Sequence, residues 1–80
     1  MPRFYFHTDD ARDVDGAELP SAEAARIEAV KVLAEMVRED PGGFWRNQSF
    51  RLTLADDRGM TLAILELGAV LSPAVTPPRR

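Results

Sequence analysis

Six side chains near the start of the chain could do chemistry: His7, Asp9, Asp10, Asp13, Asp15 and Glu18, all within FYFHTDDARDVDGAELP. An imidazole and several carboxylates this close in sequence could hold a divalent cation, or a carboxylate could orient His7 for proton transfer. Calcium is the first test. An EF-hand loop needs Gly at its sixth position, oxygen ligands at positions one, three and five, and a bidentate Glu at position twelve. Aligning on Gly16 places Asp15 and Asp13 correctly, but puts Ala11 first and Ala22 twelfth, with Pro20 inside the frame. The two most demanding ligands are missing. The acids read instead as a solvated turn with local Asx hydrogen bonds.

His7 is the only histidine and there is no cysteine, so two-histidine and thiolate metal sites are excluded. His7 and Asp9 would share a strand face, yet no nucleophile elbow or Gly-rich phosphate loop accompanies them. The expectation is no catalytic residue, no metal and no cofactor, with His7 serving structure or an interface. Trp45, with Phe44 and Arg46, could stack on a base or a sugar. Aromatics between elements more commonly tuck over the end of a small core, and that reading is preferred here.

The net charge of −3 argues against nucleic acid, which needs clustered Lys and Arg. Arg46 and Arg51 make too small a basic cluster, and Arg79 and Arg80 fall in the proline-rich end SPAVTPPRR. No apolar run approaches the roughly 18 residues of a membrane span. MPRFYF lacks the charged and apolar regions of a signal peptide, so a cytoplasmic location is expected.

The elements that must position these residues follow from periodicity. PRFYFHT (2–8) alternates as a strand, with Phe4 and Phe6 on one face and Arg3, Tyr5 and His7 on the other. Residues 9–20 hold a turn, with Asp15-Gly16 at its tip, and a short second strand. A helix follows from an N-cap at Ser21, with Ala22, Ala25, Ala29, Val30, Val32, Leu33, Met36 and Val37 on its apolar face. Ile27 lies off that face, and Arg26 sits at its edge. DPGG ends the helix, and GGFWRNQ reads as a linker. SFRLTLA is a strand with Phe50, Leu52 and Leu54 inward, DDRG a hairpin turn, and MTLAILELGAVL the last strand. That strand is apolar on both faces: Leu62 and Ile64 point one way, Ala63, Leu65 and Leu67 the other.

The expected fold is α+β, a small antiparallel sheet with one helix packed on one face, in the order β(β)αββ. A single domain spans 1–71, with a disordered tail over 72–80. Eighty residues bury only about 60% of their unfolded surface, so the core is thin. With Ala63 and Leu65 placed on the helix-free face beside Tyr5, His7, Arg51 and Thr53, these six residues form the expected interface of a homodimer. Another small protein is the alternative partner.

MPRFYFH followed by DGAELPSAEAARIEA resembles a family of small bacterial proteins of unknown function. Its members open with Met-Pro-Arg, an aromatic triplet and often His. They continue through Gly-x-Glu-Leu-Pro-Asp into a Glu-Ala-Ala-Arg-x-Glu-Ala helix start. Met1 to His7 match the first motif, and Gly16, Glu18, Leu19, Pro20, Glu23, Ala24, Ala25, Arg26, Glu28 and Ala29 the second. Ser21 replaces the family's usual Asp, one good N-cap for another. The resemblance covers about the first 30 residues in detail. It implies the fold order and no activity, so no residue role carries over. The opening is also similar to antitoxin partners of bacterial toxin–antitoxin pairs, which place a Leu-Pro element before such a helix. That likeness implies, as the alternative, a regulatory module binding a protein or nucleic acid.

Overall fold

The computed structural model describes residues 1–74. The elements are β1 (Arg3–Thr8), β2 (Ala17–Glu18), α1 (Ala22–Glu39), α2 (Pro41–Asn47), β3 (Ser49–Asp56) and β4 (Thr61–Gly68). The strands form one antiparallel sheet in the order β2-β1-β3-β4. The fold is α+β, with the helices on one face of the sheet. The expected tail begins within the described residues, which show no helix or strand after Gly68; its residues 75–80 lie outside them.

Ser21 caps α1 as expected, its hydroxyl accepting from the Ala24 amide at 3.1 Å. Ala25 and Ala29 are fully buried, so the helix approaches the sheet closely through small side chains. Phe4, Ala25 and Leu54 form the core cluster, with Phe6, Leu19 and Ala63 packed against it. Val30, expected on the buried face, is 58% exposed, while Ile27 points outward as expected. The buried arc is narrower than the apolar arc because alanines, not the flanking valine, make the closest contact.

GGFWRNQ is not a linker. Asp40 ends α1 and also caps α2, its Oδ1 accepting from the Gly43 amide at 2.9 Å, with Pro41 in the first turn. Proline is pre-organised for that position, so the residue that stops one helix starts the next. Phe44 is thereby buried and meets Phe50 edge-to-face, with centroids 5.6 Å apart. Trp45, packed edge-on against Phe44, stays half exposed.

β4 lies in the opposite phase to the expected one. Leu52 pairs with Leu65 and Leu54 with Ala63, so Ala63 and Leu65 lie on the helix face, not the free one. Near the turn, however, Ala55 pairs with Thr61, and the register shifts between Leu54 and Ala55. Continued without that bulge, the ladder would set Leu62 opposite Leu54 and Ile64 opposite Leu52, the expected phase. One extra residue moves every later side chain of β4 to the other face.

Candidate functional site

The acidic segment closes on itself through Asp13. Its Oδ2 accepts from the Phe6 amide at 3.1 Å, and its Oδ1 from the Asp15 and Gly16 amides at 3.2 and 3.1 Å. The Asp13 amide donates to His7 Nδ1 at 3.0 Å. One residue thus pins the turn to the main-chain edge of β1 and to the ring of His7. Burial alone would raise the Asp13 carboxyl, but the amides of Gly16, Phe6 and Asp15, with the nearby His7, hold its pKa below 3.8. Arg3 fastens the far end of the turn, donating to the Asp15 carbonyl at 2.8 Å and to Glu18 at 3.0 Å.

Gly16 is required where the turn meets β1. Its φ is +68°, and an added Cβ would fall 2.8 Å from Tyr5 Cε2 and 2.9 Å from the Phe4 carbonyl oxygen. The six residues that posed the metal question do not converge. Asp9 and Asp10 are exposed at the end of β1, Asp13 is occupied by amides, and Glu18 is held by Arg3. Among the described residues, no group of three or more His, Asp or Glu is arranged to hold a metal ion.

A cleft of about 340 Å³ opens where the ends of β1, α1 and α2 meet, with Asp9, Met36, Glu39, Arg46 and Phe50 in its walls. Charges of both signs line it. Arg46 lies 3.7 Å from Asp40.

The helix-free face of the sheet is the other candidate. Tyr5 stacks on His7 with ring centroids 6.2 Å apart. His7 sits beside Thr53, and Thr53 beside Ile64, forming one row across three strands. In the next row Arg51 donates to Glu66 through Nε at 2.9 Å and Nη2 at 2.6 Å. That bond holds the Arg51 guanidinium above its ordinary pKa, with the Glu66 charge adding to it. Tyr5, His7, Arg51 and Thr53 therefore occupy the face expected of them. Ala63 and Leu65 are replaced there by Leu62 and Ile64, which are 39% and 58% exposed. Sequence reasoning missed these two because only the bulge distinguishes the phases of an evenly apolar strand.

Among the described residues, no helix is long and apolar enough to cross a membrane. Comparison with curated proteins and with solved structures found no match. A family described as "Domain of unknown function (DUF6894)" matches residues 3–68, from the start of β1 to the end of β4. The match agrees with an unknown-function family read from the opening motif and extends over every strand and both helices. The chain belongs to that DUF6894 family.

Proposed function

We propose that this chain is a non-catalytic interaction domain that self-associates through the helix-free face of its sheet. The observation that carries the reading is Ile64, midway along β4 and more than half exposed on a face that nothing in the described chain covers. Leu62 extends the apolar surface, and the Arg51–Glu66 pair borders it. A contact there would bury apolar area that a thin core cannot supply. The acidic turn supports the non-catalytic part: the single imidazole accepts from a backbone amide, and the best-placed carboxylate is saturated by three.

Sedimentation velocity at micromolar concentration tests the reading. The wild type is expected to sediment as a dimer and Ile64→Glu as a folded monomer, because a buried unpaired carboxylate loses its hydration without a partner. Leu65→Glu does not serve, since that side chain faces α1. A wild type that remains monomeric would sink the proposal.

A further inference from the structure

We infer that the acidic turn closes fully only on a neutral His7 whose ring hydrogen is on Nε2. A further proton on that ring releases the Asp13 amide, while the carboxylate half of the clasp stays shut. The device is a two-stage, proton-operated latch, and it stands whether or not the helix-free face self-associates.

The first observation is the direction of one hydrogen bond. The Asp13 amide donates to His7 Nδ1 at 3.0 Å. A backbone amide can only donate, so Nδ1 must offer a lone pair, and the neutral imidazole then carries its hydrogen on Nε2. A charged imidazole has a hydrogen on both nitrogens. The bond cannot survive that change, because two N–H groups would face each other across the same gap. A backbone carbonyl in this place would hold the amide at any pH. An imidazole nitrogen holds it only while the ring is neutral.

The second observation is that the other bonds of the turn do not share this dependence. The Phe6, Asp15 and Gly16 amides all donate to the Asp13 carboxylate. They hold its pKa below 3.8, so these bonds are present above the ordinary carboxylate range and lost only as pH falls through the lower folded value. Imidazoles ordinarily take up a proton near pH ~6.5 and aspartates near ~3.9. One acceptor of the turn is thus an imidazole and the other a carboxylate. Acid removes them one after the other, the Asp13 amide losing its partner first.

The ring lies where a proton can reach it. His7 is only half-buried, and it borders a cleft of about 280 Å³ with Arg12, Asp13, Asp56 and Asp57 in its walls. On β1 itself, Tyr5 stacks on the imidazole with the ring planes 11° apart, and Asp9 follows two residues on. On β3 the adjacent residue, Thr53, is uncharged, and in the next row Arg51 is bonded to Glu66 of β4. These charges bear on how readily the ring takes a proton. They leave the consequence the same, since a hydrogen on Nδ1 removes the acceptor. The new charge also stands in the row shared with Thr53 and Ile64, so the first stage alters the sheet face together with the turn.

His7 is the only histidine, so its ring signals in an NMR titration of the whole chain are unambiguous. At neutral pH the ring ¹⁵N shifts are expected to show an unprotonated Nδ1 and a protonated Nε2. As pH falls, the Asp13 amide should lose about five- to tenfold in exchange protection, corrected for intrinsic exchange, at the midpoint of the ring signals. That is roughly the weight of one hydrogen bond. The Gly16 amide should stay protected through this step and open only at lower pH. In His7→Gln, whose carboxamide gains no proton in this range, the Asp13 amide should show no step. A hydrogen on Nδ1 at neutral pH overturns the latch, as does a ring that stays neutral until the protein unfolds. An Asp13 amide unmoved through the ring's titration, or Asp13 and Gly16 losing protection together, overturns it as well.

Discussion

His7 and Asp13 are joined by one hydrogen bond, the Asp13 amide donating to His7 Nδ1, while the Asp13 carboxylate accepts from the amide of Phe6, the residue before His7. A side chain that looks like half of a catalytic pair is thus the clasp of a turn. Removing the carboxylate strips acceptors from three amides. Asp13→Ala is expected to cost roughly 1–2 kcal/mol, whereas Asp9→Ala, exposed at the strand end, should stay within about 0.5 kcal/mol. Urea melts of the two variants make the comparison.

The same clasp predicts an acid response. The folded Asp13 pKa is depressed below 3.8 by its amide donors. Its contribution is therefore present above the ordinary carboxylate range and lost as pH falls through the lower folded value. Asp56, which accepts from the Met60 and Arg58 amides in the β3–β4 turn, is depressed in the same direction. Stability measured between neutral and strongly acid pH should fall less steeply in Asp13→Asn than in the wild type. Equal slopes would show that the clasp does not titrate.

Gly16 and Gly59 separate two costs. Both have positive φ, +68° and +84°, but an added Cβ meets open space at Gly59 and the β1 backbone at Gly16. Gly59→Ala should lose about 1 kcal/mol from backbone strain alone. Gly16→Ala should lose clearly more, since the Phe4 carbonyl cannot move without breaking the β1 ladder. Thermal melts rank them.

Leu54 is fully buried in the core cluster under α1. Leu54→Ala should cost about 2–5 kcal/mol, a large share of the stability of so small a domain. Glu35→Ala on the exposed side of α1 should change it by less than about 0.5 kcal/mol. Similar losses for both would mean that the helix packs in a different phase.

Local chemistry made much of this legible without coordinates. Ser21, Asp15-Gly16 and the alternation of RFYFHT act on their own neighbours, through a hydroxyl, a left-handed glycine and a two-residue period. The N-cap, the turn and the first strand could therefore be read directly. Asp40-Pro41 is only half legible in the sequence, because the same pair both ends and begins a helix, and the choice depends on whether Phe44 finds a pocket beside Phe50.

The phase of β4 belongs to the tertiary structure alone. LAIL is apolar in both parities, so its composition is indifferent to which face is buried. The bulge between Leu54 and Ala55 breaks that tie by inserting one residue, turning Ala63 and Leu65 under α1 and Ile64 outward. Val30 shows the same division on the helix. Periodicity marked it apolar, and the close seating of Ala25 and Ala29 left it outside. Sequence determined the four strands and α1 and where they start, since those choices are made within a few residues, but not α2, which depends on Phe44 meeting Phe50. Which apolar side chains remain exposed was decided by register and helix seating, which arise only when distant segments meet.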